Sequence, residues 1–173
     1  MILTEPTMAH ADMITDYRNE LIETDSSTDG TGSFLKYPDI SEWIKKVETF
    51  RDPAKVPEGY VPATQYIFLR EEASKVVGMI QIRHYLNEFL SRYSGHIGYS
   101  VAPSERRKGY AAQMLGMALP ECRELGIKKL LITCKKDNEG SRRTILKNGG
   151  VYESTVFYAD EGIYLERYWI DLI

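Results

Sequence analysis

The residues best able to do chemistry fall in one run, Arg106-Arg107-Lys108-Gly109-Tyr110-Ala111, which follows the apolar stretch ending Tyr99-Ser100-Val101 and opens an amphipathic one. Three cations beside a glycine suggest an anion site. Where such a run turns from a strand into a helix, unpaired backbone N–H groups and roughly half a unit of positive dipole charge gather at the turn. Gly109 would leave those amides open to an anion's oxygens, and the small Ala111 would let the helix pack closely on the strand behind. A diphosphate suits such a turn, because several amides and up to three cations would share its charge. Read alone, the Arg-Arg-Lys run is also a solvated surface cluster or a nucleic-acid patch; the spacing of Gly109 and Ala111 is what favours the diphosphate.

Other reactive side chains are sparse. The three histidines, His10, His84 and His96, and the two cysteines, Cys122 and Cys134, are scattered without ligand spacing, so no metal site is expected. Both cysteines fall in segments that read as core helix and core strand, which predicts buried free thiols. The P-loop pattern G-x-x-x-x-G-K-[S/T] is missing.

The elements that must position the Arg106–Ala111 run follow from periodicity. Residues 1–5 read as an edge strand, and Thr7 caps a helix to about Thr24 carrying Met8, Ala11, Ile14, Tyr17 and Leu21. Residues 25–36, rich in Ser, Asp and Gly, are expected to be a mobile loop. Asp39 caps a second helix whose apolar set, Ile40, Trp43, Ile44, Val47 and Phe50, would lie on a sheet. Residues 64–70 and 75–83 read as a hairpin, 94–101 as a strand, and 128–134 as a strand buried on both faces. Helices cover roughly 108–125, ended by Gly126, and 138–147. Pro120 inside the former predicts a kink. Residues 151–159 and 163–172 close the chain as a tyrosine-rich hairpin around Asp160-Glu161-Gly162. The order argues an α/β sheet covered by helices, in one domain spanning 1–173.

Bulk composition agrees. At 173 residues, 43% hydrophobic and 27% charged, the chain suits a globular fold, and a net charge of −3 gives no general attraction for nucleic acid or an acidic membrane. No apolar stretch approaches the roughly 20 residues that span a bilayer, and the first residues lack a signal-like block, so a cytoplasmic location is expected.

The run Arg106, Gly109, Ala111 matches the Q/R-x-x-G-x-G/A signature, and with its context, IGYSVAP before it and NEGSRRTILKNGG beyond, the chain resembles the GNAT superfamily of N-acetyltransferases. The wording is similar to a group of predicted bacterial acetyltransferases. The resemblance implies a mixed, mostly antiparallel sheet of about six to seven strands, splayed at the cofactor site and flanked by about four helices. It implies acetyl-CoA as co-substrate, its pyrophosphate on the amides of Arg106, Arg107, Lys108, Gly109, Tyr110 and Ala111. Tyr99, Ser100 and Val101 would pair with the pantetheine arm, Asn138 would touch it, and relatives often form homodimers.

The activity implied is direct acetyl transfer to a primary amine of a small molecule or a protein N-terminus. An amine of pKa about 10.4 is neutral only about once in 2,500 molecules at pH 7, so a proton must be removed, and the departing thiolate needs a donor. A backbone N–H near Tyr99 to Val101 is expected to hold the acyl oxygen. The family's usual tyrosine acid, seven residues after the Asn, is Ile145 here. Ser141, one turn after Asn138, is the candidate in its place, with Tyr152 and Tyr158 behind it. His84 and Glu88 are the candidates for the base, followed by His96, which strict alternation turns to the opposite strand face. Glu20 and Glu23 are candidates for the acceptor pocket. The loss of the usual acid leaves open a non-catalytic acyl-CoA sensor, and the basic run a nucleic-acid module.

Overall fold

The apolar periodicities resolve into seven strands and four α-helices in a computed structural model that describes residues 1–173, the side chain of Ala73 excepted. Strands β1 (Ile2–Thr4), β2 (Ala63–Arg70), β3 (Lys75–Arg83) and β4 (Ile97–Val101) form one antiparallel sheet in chain order. Strands β5 (Lys129–Lys135), β6 (Val151–Tyr158) and β7 (Ile163–Asp171) form a second, ordered β5-β7-β6, also antiparallel. The splayed, antiparallel sheet expected from the sequence is present as these two sheets, with β4 and β5 at their facing edges.

Both faces of the first sheet are covered. Helices α1 (Ala11–Glu23) and α2 (Ile40–Arg51) bring Ile14, Tyr17, Leu21, Trp43, Ile44 and Val47 onto Ile67, Leu69, Val76 and Met79. Helix α3 (Tyr110–Glu124) brings Met114, Leu115, Ala118 and Cys122 onto Phe68, Ile80 and Ile82, in a core that continues through Leu130 and Ile132 of β5 to Tyr168 of β7. Covering on two sides explains why β2 shows no alternation: seven successive residues, including Thr64 and Gln65, are buried. It equally explains the Leu130-Leu131-Ile132 run, whose members are all at most 1% exposed.

Two local expectations change. The strand expected from residue 94 begins at Ile97, because Leu90–Ser94 forms a π-helical turn closed by the Gly95 amide on the Leu90 carbonyl at 2.7 Å and started by Asn87 Oδ1 accepting from the Leu90 amide. The loop 25–36, expected to be mobile, is instead held. Trp43 Nε1 donates to the Thr31 carbonyl, Lys46 Nζ to that of Gly32 and Gln65 Nε2 to that of Gly30, while Phe34 is fully buried. Truncating a buried indole costs about 3–5 kcal/mol in comparable cores, so the loop is tied to one of the stronger parts of the fold. Helix α3 contains Pro120 within its span, which reaches Glu124. Asp39 caps α2 by accepting from the Ser41 amide, as its sequence position predicts, and Thr7 forms a capping box with His10.

Candidate active site

The facing edges of the two sheets touch at one point. Gly95 bridges Ile132, the His96 amide donates to the Leu131 carbonyl at 2.8 Å, and His96 Nδ1 accepts from the Leu131 amide at 3.0 Å. Gly95 is required there on two counts: its φ is +70°, and a Cβ would stand 2.4 Å from the Leu131 carbonyl oxygen. Beyond that apex β4 and β5 diverge. On β4 the Arg83 amide donates to the His96 carbonyl and the Ala102 amide to that of Val77, so the even-numbered residues bond to β3. By the alternation of an antiparallel ladder, the peptide groups of Tyr99 and Val101 face the gap. Ser100 lines the gap, but its peptide bonds toward β3 and its hydroxyl accepts from Tyr17 at 3.0 Å.

The turn that follows β4 is built around Glu105. Its buried carboxylate takes Lys108 at 2.9 Å, Lys75 at 3.2 Å and Arg70, and hydrogen bonds from Lys108 and Lys75 with the charge of Arg70 hold its pKa down at about 2. Glu20 accepts from the Ser104 amide and stands 3.7 Å from Lys75, so it braces this turn and does not line the cleft. Past the brace the backbone becomes unusual. Arg107 sits at φ +61° and Gly109 at φ +81°, and between the Arg106 amide, bonded to Pro103, and the Gln113 amide, bonded to Gly109, the amides of Arg107 through Ala112 find no acceptor in the protein. A Cβ at Gly109 would meet no protein atom within 4 Å. The glycine therefore answers to the left-handed backbone and to open space over the amides, which is where an anion fits.

Of the three cations in the run, Lys108 is spent on Glu105 and Arg106 Nε donates to the Val101 carbonyl, which leaves Arg107 and the rest of the Arg106 guanidinium facing the opening. Arg143 and Lys147 of α4 (Glu139–Lys147) line the same opening from the other side.

From this cradle a continuous cleft of about 1520 Å³ runs between β4 and β5, larger than the roughly 300–1,000 Å³ of ordinary small-ligand pockets. Midway along it the Tyr99 hydroxyl meets Ser141 Oγ at 2.7 Å, and the Ser141 amide donates to Asn138 Oδ1 at 3.0 Å, so Asn138 caps α4. Burial pushes the Tyr99 phenol up to about 12, partly offset by its bond to Ser141. Cys134 lies on the floor of the cleft. Ile145, at the family's usual acid position, is fully buried in the core and packs against Gly150. The far end is walled by Thr24 to Gly30, Arg83, the π-helical turn and the β6–β7 tip, with Phe89, Tyr93 and Tyr158 clustered at centroid distances of 4.7 to 6.0 Å.

Of the residues suggested as catalytic, Ser141 and Tyr158 line the cleft, Tyr158 within the aromatic cluster at its far end. His84 Nε2 is engaged with Thr64 Oγ1 at 2.8 Å, and burial lowers its pKa. Glu88 and Glu23 are exposed outside the cleft, and Tyr152 is exposed on β6 beside Thr155. His96 is 7% exposed and serves the apex. Burial, aided by the charge of Arg83, pushes its pKa down to about 4. A base so weak has little drive at neutral pH. Residues that sequence reasoning passed over include the Tyr99 side chain, Arg83, Asp29, Arg143 and Lys147. The one signal for them was Arg83 itself, a cation closing the largely apolar run VVGMIQIR.

Two sheets splayed over a cleft, with a row of free amides at its mouth and a hydroxyl pair midway, define an acyltransferase that draws its acyl group from a CoA thioester. Residues 2–151 match the family described as acetyltransferase (GNAT) domain, and the chain belongs to it. Acetyl-CoA is the co-substrate, and the free amides fit its pyrophosphate. Solved structures agree in fold. The N-acetyltransferase from Staphylococcus aureus Mu50 is 20% identical with a TM-score of 0.68, over 99% of this chain and 98% of that one. The ribosomal-protein-S5-alanine acetyltransferase from Vibrio fischeri is 13% identical with a TM-score of 0.72, over 98% and 91%. The yncA protein from Salmonella typhimurium, solved with its cofactor acetyl-CoA, is 14% identical with a TM-score of 0.69, over 99% and 94%. A search of curated proteins by sequence gave no match. Among the described residues no helix is long and apolar enough to cross a membrane.

Proposed function

We propose that the protein moves an acetyl group from acetyl-CoA directly to a primary amine, of a small molecule or a protein N-terminus, held at the far end of the cleft. The observation that carries this reading is continuity: one cleft joins the free amides of Arg107–Ala112, the Tyr99–Ser141 hydroxyl pair and the chamber walled by Asp29, Arg83 and the aromatic trio. Phosphates bound at one end would lead the thioester to the middle, with Tyr99 and Val101 pairing along the arm as an added strand would.

In the transfer the neutral amine attacks the thioester carbon. A C–N bond forms, the C–S bond breaks, the nitrogen gives up one proton and the sulfur leaves as thiolate. The Tyr99 hydroxyl, oriented by Ser141, is the donor for that sulfur. A gap-facing amide of Tyr99 or Val101 is the donor for the acyl oxygen. Asp29, which lines the cleft next to Gly30 where that glycine packs against Tyr99, is the acid suited to hold the ammonium and receive its proton directly or through water.

Thiol release from acetyl-CoA across a panel of primary amines tests the reading. Turnover with at least one amine, well above hydrolysis, is expected. If acetyl-CoA binds but no amine raises thiol release, the alternative of a non-catalytic acyl-CoA sensor, which the buried Ile145 favours, takes its place.

A further inference from the structure

Arg83 ends β3 at the apex of the cleft and has no structural partner equal to its charge. Nη1 donates to the Gly95 carbonyl at 3.0 Å, and the guanidinium forms no ion pair among the described residues. It nevertheless sits where burial disfavours its charge, with Asp29 the acid that acts against that burial. The guanidinium is partly buried and lines the cleft, so its unbonded edge can take an anion there. The cleft supplies the room. Arg83 lines it, and the neighbouring strand residue is Gly98, where even a Cβ would come within 3.7 Å of Nη2. That glycine is itself pinned by the acceptor loop, since Gly30 packs so closely on Gly98 that a Cβ at residue 30 would lie 2.2 Å from its carbonyl oxygen.

We infer that the acceptor is an α-amino acid or a close amino-carboxylate, its carboxylate taken by the free edge of the Arg83 guanidinium and its ammonium by Asp29. The planar fork of arginine matches a carboxylate with two parallel bonds, which a lysine would not. Gly30, next to Asp29 in the chain, packs on Gly98 and Tyr99, and Gly98 borders Arg83 Nη2, so the acid and the guanidinium flank one stretch of β4 on the cleft, a pairing that suits a zwitterion in which the two groups are one carbon apart. The side chain of the amino acid would then face Phe89, Tyr93 and Tyr158, whose tilted and edge-on stacking makes an aromatic wall. A linear polyamine finds acids here too, Asp25, Asp29 and Glu161, but it leaves the cation of Arg83 unanswered.

This inference rests on the acetyl-transfer reading, and the experiment separates the two. Initial rates of thiol release are measured for phenylalanine, phenylalanine amide, phenethylamine and spermidine, and acetyl-CoA binding is measured separately by calorimetry. Phenylalanine is expected to exceed phenethylamine and the amide in kcat/KM by about 100-fold, the size expected for losing a charged, bidentate contact. Arg83→Lys and Arg83→Gln should lower kcat/KM for phenylalanine by about 100-fold and abolish its preference over phenethylamine and the amide, and calorimetry of acetyl-CoA binding shows whether the cofactor site is intact in each variant. If Arg83→Gln does not fold, Arg83→Lys keeps the charge and still removes the fork. Equal rates with and without the carboxylate, or a preference for spermidine, overturn the inference while leaving acetyl transfer intact. Acetyl-CoA binding with no acceptor at all overturns both.

Discussion

Replacing Tyr99 by Phe asks what the hydroxyl at the centre of the cleft does. With its pKa pushed up to about 12, this phenol is a poor source of protons for a thiolate. A thiol of pKa about 8.5 lies roughly 3.5 units lower, which makes full transfer uphill by about 4.8 kcal/mol. Tyr99 is therefore expected to act as a hydrogen-bond donor that remains protonated, and a bond to a charged group contributes about 1.5–3 kcal/mol. At about 1.4 kcal/mol per decade that is a fall in kcat of roughly 10- to 150-fold. The KM for acetyl-CoA should change less than about 3-fold, because the bond strengthens only as charge develops on sulfur. Stopped-assay kinetics from pH 6 to 10 give the decisive readout: the pH profile of the variant should keep the wild-type shape. Loss of an alkaline limb in Tyr99→Phe would show that the phenol titrates and gives up its proton, and an unchanged kcat would show that the sulfur lies elsewhere. Ser141→Ala, combined with Tyr99→Phe in a double-mutant cycle, should be non-additive, since the serine acts by orienting the phenol.

Gly109→Glu should weaken acetyl-CoA binding by at least 100-fold in calorimetry, because it sets a carboxylate in the space over the free amides; Gly109→Ala should cost about 1–2 kcal/mol of stability through its φ of +81° and weaken binding less. Gly30→Ala should raise the acceptor KM with little effect on acetyl-CoA affinity, because a Cβ there collides with β4 at Gly98 and must displace the acceptor loop. His96 has a folded pKa of about 4 against an unfolded value near 6.5, so its neutral form stabilises the fold above pH 6.5 and that contribution is lost as pH falls toward 4. Urea melts should show a slope of at most about 1.4 kcal/mol per pH unit in that window, reduced in His96→Asn.

Much of this architecture was legible because it is governed by local rules. Asp39 and Asn138 stand where caps belong, Trp43 and Val47 repeat at helical spacing, and Gly109 with Ala111 marks the turn after β4. What could not be read depends on neighbours distant in sequence. The loop 25–36 has a mobile loop's composition, yet three donors from α2 and β2 hold its carbonyls. Histidines attract attention because they titrate near neutrality, but His96 is turned into a fastening by an amide 35 residues away. Tyr99 was recognised for its backbone, and its hydroxyl gained meaning only when α4 brought Ser141 to it. The roles of Arg83 and Asp29 likewise arise from a loop and a strand end that meet only after folding.

The single fastening between β4 and β5 also makes the enzyme a lever. From Gly95 to Val101 the strand extends about 20 Å, taking roughly 3.3 Å per residue, so a tilt of about 3° at that fulcrum shifts the far end by about 1 Å. Substitutions near Gly95, His96 or Leu131 would thus be magnified at the mouth. Lineages could retune the grip on the diphosphate there without touching a residue that contacts either substrate.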